Sequence, residues 1–152
     1  DAANPEGPNL WGHIIRWRDA DHHVGTTFEW DIFVLASQTV DTDHGFGSPD
    51  GIWADDFGRL FIETDGSQPG GANDQMLVAD TRTGEIRRLF TSVVGSEVTG
   101  IAITPDQRTM FINVQHPGDG DSAKTLFPFY EGPVPRDATV VITRKDGGII
   151  GS

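Results

Sequence analysis

No cysteine occurs among the 152 residues, which excludes a disulfide framework and a thiolate metal site. Basic residues are few, 11 against 23 acidic ones, and the formal net charge is −12 at pH 7. A phosphate backbone demands a basic face, so this balance argues against a nucleic-acid partner. No apolar run approaches the roughly 20 residues of a membrane-spanning helix, and membrane insertion is not expected. The glycine-rich Gly66–Ala72 segment lacks the lysine and the following helix of a phosphate loop, and there is no Gly-x-Ser-x-Gly elbow. Long helical periodicity is scarce, which leaves strands as the main element. Beginning at Asp1 without methionine, the chain reads as a processed protein or as a piece of a longer one.

What is present is a repeated hairpin. Gly51-Ile52-Trp53-Ala54, the turn Asp55–Gly58 and the return Leu60-Phe61-Ile62 form one copy. A weaker copy runs through Gly100-Ile101-Ala102-Ile103, the turn Thr104–Gln107 and Met110-Phe111-Ile112. Asp-x-x-Gly in the first turn is turn chemistry, with the glycine taking a positive φ. Gly51 and Gly100 are 49 positions apart, and Phe61 and Phe111 are 50 apart. A period near fifty that holds several strands is the sequence pattern of propeller blades.

The expected fold is therefore all-β, a partial β-propeller whose blades are antiparallel four-stranded sheets. Residues 1–47 supply the outer strands of an incomplete blade, around His13–Trp17 and Thr27–Leu35, and Ser37–Gly47 is a polar link. Residues 48–92 make a complete blade, with strands at Gly51–Ala54, Leu60–Thr64, Gln75–Ala79 and Glu85–Phe90. Residues 93–152 make the last blade, with strands at Val98–Ile103, Met110–Val114 and Ala138–Thr143. It carries a long Pro/Gly-rich insertion, His116–Asp137, and little chain remains for a fourth strand. Loops of that length are commonly functional. About two and a half blades cannot close a ring that needs roughly four to eight, so the missing blades come from a longer parent chain or from other subunits.

This topology gathers Asp50, Asp65, Asn73, Glu97, Asn113 and His116 on one face, with Asp50 and Glu97 nearest the central channel. Hard cations such as calcium take several carboxylate and amide oxygens with no fixed local spacing. Asp50 and Asp65 have a second reading, as turn caps through Asx-type hydrogen bonds. Glu97 stands directly before the Val-Thr-Gly that opens a strand and has no such turn role. His116 is placed to ligate metal or hold phosphate, whereas His22, His23 and His44 lie in polar loops and His13 begins a strand. Arg87, Arg88, Arg108 and Arg136 are candidate anion contacts, and the first two lie on an outermost strand that favours a surface role.

FEWDIFVLAS, FGSPDGIWADDFGRLFIETDGS, NDQMLVADTRTGEIRRLF, EVTGIAITPDQRTMFINVQHPG and PRDATVVITRKDGGIIGS, in that order, resemble the carboxy-terminal portion of the PhoX family of bacterial alkaline phosphatases. The resemblance covers nearly the whole chain from Trp17 onward. It implies a secreted or periplasmic enzyme, a six-bladed propeller, and hydrolysis of a small phosphomonoester with calcium and iron in the central channel. It carries Asp50, Asp65 and Glu97 over as metal positions, to which the topology adds Asn73. Glu97 is also the implied catalytic carboxylate, and Asn113 and His116 the implied substrate contacts. Relatives commonly carry a cysteine before EVTG, where this chain has Ser96, and much of the family's metal site belongs to upstream sequence. The resemblance thus implies that these 152 residues alone hydrolyse little or nothing. Two other readings remain open, a calcium-dependent propeller lactonase and a non-catalytic binding module that docks a partner on the His116–Asp137 loop.

Overall fold

The computed structural model describes residues 1–152 apart from 130 and 133, which lie within the 116–137 insertion. Among the described residues, nine strands follow one another along the chain. They are β1 (His13–Asp19), β2 (Phe28–Leu35), β3 (Pro49–Ala54), β4 (Arg59–Thr64), β5 (Gln75–Asp80), β6 (Ile86–Thr91), β7 (Glu97–Ile103), β8 (Thr109–Gln115) and β9 (Ala138–Thr143). They form three antiparallel sheets in sequence order: β1–β2, β3–β4–β5–β6 and β7–β8–β9. The fold is thus the partial, propeller-like all-β arrangement that the hairpin repeat suggests.

Side-chain alternation explains how the sheets stack. Along β4 and β5, Leu60, Ile62, Leu77 and Ala79 turn to one side and pack with Ile14, Ala36 and Phe46. Phe61, Met76 and Val78 turn to the other side and pack with Val98, Met110, Ile112 and Ile150. The middle sheet is therefore covered on both faces, which is why β4 and β5 read as nearly unbroken apolar runs. Phe61, Ile62, Met76 and Leu77 are wholly buried, each contributing about 1.5–3 kcal/mol of hydrophobic stabilisation. By contrast Trp17, Phe28 and Trp30 on the β1–β2 sheet are exposed.

Two stretches differ from the sequence expectation. The link over residues 37–47 is not merely polar, because Phe46 is fully buried in the core between the first two sheets. The final residues, which have too few positions for a strand, fold back instead. The Ile150 amide donates to the Gln107 carbonyl at 2.9 Å, and the Ile150 side chain is buried. Gly151, at φ 78°, fits against Phe61 and Val78 where a side chain would not.

Arg59 ties this return to the β3–β4 turn. Its Nε donates to Asp55 Oδ2 at 2.5 Å, its Nη1 to the Ile150 carbonyl at 2.7 Å and its Nη2 to Gln107 Oε1 at 2.8 Å. Asp55 also accepts from the Phe57 and Arg59 amides, which holds the turn. Removing one partner of a buried, hydrogen-bonded charge pair leaves the other uncompensated, at a cost of about 3 kcal/mol or more. Arg59→Ala is accordingly expected to destabilise the chain by about that amount in urea unfolding, and Arg82→Ala at an exposed pair by less than about 0.5 kcal/mol. Equal effects of the two substitutions would contradict this role for Arg59.

Candidate metal centre

Antiparallel pairing brings the start of one strand beside the end of the next. Pro49 at the start of β3 faces Thr64 at the end of β4, and Glu97 at the start of β7 faces Gln115 at the end of β8. Because β4 and β7 lie in contact, both pairs of strand ends share one edge of the molecule. There Asp65, Glu97 and His116 each offer a ligand atom, and these atoms lie within 4.8 Å of one another. Glu97 is buried, while Asp65 and His116 are exposed.

The His116 backbone has φ 40°, a region uncommon for residues other than glycine. It is held there by its amide, which donates to Asp137 Oδ1 at 2.7 Å. The ring nitrogens face two acceptors, with Nδ1 3.3 Å from the Gly95 carbonyl and Nε2 3.4 Å from Glu97 Oε2. Desolvation of the ring disfavours the charged form, but the Gly95 carbonyl, Glu97 and Asp119 outweigh it and hold the imidazole pKa above its ordinary 6.5. Without a cation, a proton on Nε2 reconciles the ring with the carboxylate. With a cation the Nε2 lone pair and the Glu97 oxygens are placed to share it, so proton and cation compete.

A further carboxylate, not singled out by sequence reasoning, stands beside this group. Glu63 on β4 is 3% exposed, and its Oε1 has no hydrogen-bond partner. The β3–β4 register shifts between Pro49 and Ile52, so Asp50 and Gly51 together oppose Glu63. A bulge of this kind re-aims side chains and is frequent beside functional sites. The Glu63 carboxylate occupies the space that a Gly51 side chain would fill. Burial raises its pKa to about 7; the Gly100 amide opposes the shift, and the Asp50 and Glu97 charges add to it. The signal that reveals such a residue is a carboxylate inside a strand whose six positions are all buried.

Asp50 is exposed on the bulge and acts electrostatically on Glu63. Two amides proposed for the site make other bonds. Asn73 Nδ2 donates to the Ser92 carbonyl at 2.9 Å, and Asn113 Oδ1 accepts from Thr139 Oγ1 at 2.7 Å. Ser96 is buried; its hydroxyl donates to the Val93 carbonyl and lies 2.6 Å from the Ser92 hydroxyl, so it props the turn before Glu97. Among the arginines, Arg87 donates to the Gly151 carbonyl, Arg88 to Gln75 Oε1 and Arg108 to the Gly147 carbonyl.

The donor set of Asp65, Glu97 and His116 consists of carboxylate oxygens with one imidazole and no thiolate, and the unpartnered Glu63 Oε1 is buried on the adjoining strand. These residues fit a hard divalent cation. Fold and site together define a propeller-like β protein with an oxygen-rich candidate cation site where two sheets meet. The family model described as alkaline phosphatase PhoX matches residues 1–118. Among solved structures, Pseudomonas fluorescens PhoX in complex with vanadate, a transition state analogue, is similar to the chain with a TM-score of 0.83 and 41% sequence identity. The match covers 98% of this chain and 29% of that one. No protein of the curated set matches. The chain belongs to the PhoX alkaline phosphatase family.

Glu63 makes stability depend on pH. Between about pH 4.5 and 7 the folded chain retains the Glu63 proton while the unfolded chain releases it, so stability falls as pH rises through that window. A shift of this size corresponds to roughly 3 kcal/mol. His116 acts in the same direction at higher pH: its stabilisation is fully present below 6.5 and is lost as pH rises through its raised value. In cation-free buffer the urea midpoint is expected to be higher at pH 5 than at pH 8, and Glu63→Gln to remove most of the dependence below pH 7. An unchanged slope in Glu63→Gln would refute this assignment.

Proposed function

We propose that the chain forms one wall of a metal-dependent phosphomonoesterase site, with calcium and iron as its metals. The observation that carries this reading is the convergence of Asp65, Glu97 and His116 at one sheet edge in a chain of the PhoX family. Asp50, Asp65 and Glu97 hold the cations, and Glu97 is the catalytic carboxylate. His116 and Asn113 contact the substrate, and Asn73 contributes its free amide oxygen as a further ligand. When bound, the metals neutralise charge that develops on the phosphoryl oxygens. His116 holds or releases a proton at Nε2, and the Gly95 carbonyl orients the ring through Nδ1. Beyond these residues the chain supplies rigidity, since Glu97 and Asp65 stand at the ends of strands locked by the shared core.

The three sheets read as an incomplete blade over residues 1–47, a complete blade over 48–92 and a last blade over 93–152 of a six-bladed ring. The chain spans 29% of the length of the PhoX structure it resembles, and the exposed Trp17, Phe28 and Trp30 support pairing of the first sheet with further strands. Those strands belong to a longer parent chain or to other subunits. By the same reading the protein works in the periplasm or outside the cell.

The test is hydrolysis of p-nitrophenyl phosphate by the protein carrying this chain together with its remaining blades. Chelation is expected to abolish turnover, and calcium and iron added together to restore it. Glu97→Gln is expected to lower kcat at least 100-fold. Turnover that survives chelation, or hydrolysis of lactones in place of the phosphate ester, would overturn the assignment.

A further inference from the structure

The β7–β8 ladder ends at the pair Glu97 and Gln115, so the sheet itself does not set the direction of His116, the next residue. Beyond that pair a second set of bonds takes over. The Gly118 amide donates to the Val94 carbonyl and the Asp119 amide to the Gly95 carbonyl, both at 2.9 Å. The same Gly95 carbonyl lies 3.3 Å from His116 Nδ1. The Asp119 amide also reaches the His116 carbonyl at 3.1 Å, which closes residues 116–119 into a turn. The start of the insertion is thereby stitched to the link that leads from β6 into Glu97.

This stitch depends on a missing side chain. At φ 66° Gly95 has a left-handed backbone. A Cβ there would stand 2.8 Å from the Asp119 nitrogen, 2.9 Å from its carbonyl oxygen and 3.1 Å from the Gly118 carbonyl carbon. All three are backbone atoms, so no side chain can swing aside, and the two segments would have to part. Close approach of one backbone to another is a use to which glycine is suited by its lack of a Cβ. Gly84, in the β5–β6 turn, has a similar φ of 76° with nothing near it, so it needs glycine for conformation alone. The two glycines separate steric contact from backbone strain.

We propose that Gly95 is a positioning residue for His116. Its bare backbone lets the insertion lie on the β6–β7 link, and this contact turns the His116 ring toward Glu97, whose Oε2 lies 3.4 Å from Nε2. The Asp137 bond fixes the His116 backbone; the stitch fixes what the ring faces. The inference rests on the reading of His116 as a substrate contact, and it names what keeps that contact in place. Gly95 touches no substrate and acts only through His116.

The experiment uses the protein carrying this chain together with its remaining blades. Gly95→Ala, Gly95→Asn and Gly84→Ala are each made alone, and Gly95→Ala also together with His116→Ala. Asparagine tolerates a left-handed backbone but brings the same Cβ, so it tests the contact rather than the strain. Hydrogen exchange read by mass spectrometry follows the Gly118 and Asp119 amides, with the β4 amides as the folding control. Steady-state hydrolysis of p-nitrophenyl phosphate gives kcat and KM. Both Gly95 variants are expected to exchange the two amides at least tenfold faster with β4 protection intact, and to lower kcat/KM at least tenfold, mainly through KM. Gly84→Ala is expected to match the unaltered protein within twofold in both readouts. In the His116→Ala background, Gly95→Ala is expected to cost less than a further twofold, because residues that act through one another are not additive. Unchanged exchange in the Gly95 variants, full activity in Gly95→Asn, a loss that multiplies with that of His116→Ala, or β4 protection lost in both Gly95 variants would overturn the positioning role. An unaltered protein that hydrolyses no phosphate ester would overturn the phosphatase reading; exchange then decides the stitch by itself, faster exchange supporting it and unchanged exchange overturning it.

Discussion

Phe61, Met76 and Val78 face one side of the middle sheet and Leu60, Ile62 and Leu77 the other, so this sheet needs a neighbour against each face. That requirement decides where everything else can go. The β1–β2 sheet and Phe46 cover one face, and the β7–β8–β9 sheet with Ile150 covers the other. Once β4 and β7 are pressed together, the end of β4 and the start of β7 must meet, and the residues there inherit that proximity. Asp65 and Glu97 come together through packing of apolar side chains some distance away, with no bond of their own.

Such a placement has an electrostatic consequence. Packing forces carboxylates into a shared corner, where they oppose one another, and the fold answers only part of that opposition. His116 answers Glu97, held in a strained backbone position by Asp137. Asp74, half-buried, accepts at Oδ1 from Thr64, Gly66 and Gln68. Glu63 is not satisfied. Asp74 and Glu63 thus differ: the half-buried Asp74 accepts three hydrogen bonds, whereas the buried Glu63 keeps one oxygen without a partner.

Much of this was legible in the sequence for identifiable reasons. Strands β3 to β8 follow from apolar alternation bounded by turn residues such as Asp55–Gly58, which are local signals. Asp65, Glu97 and His116 could be grouped because each stands at a strand end on the same side of its hairpin; what brings Asp65 to the other two is the packing of β4 against β7. Glu63 was hidden because its placement depends on a bulge at Asp50–Gly51, and one extra residue in a strand leaves no mark in hydrophobic periodicity. Asn73 and Asn113 were assigned to strand ends that the structure does contain, but their bonds to Ser92 and Thr139 are tertiary and invisible locally. Phe46 and Ile150 sit among glycines in segments without periodicity, so their burial depended on which sheet lay opposite.

The central claim is that the corner where the second and third sheets meet is built to hold cations. The most direct measurement is anomalous diffraction from crystals grown with calcium. A peak within about 2.3–2.6 Å of carboxylate oxygens of both Glu97 and Asp65, at ligand distances usual for calcium, is the expected result. A corner without a peak, in which His116 still pairs directly with Glu97 at saturating calcium, would contradict it.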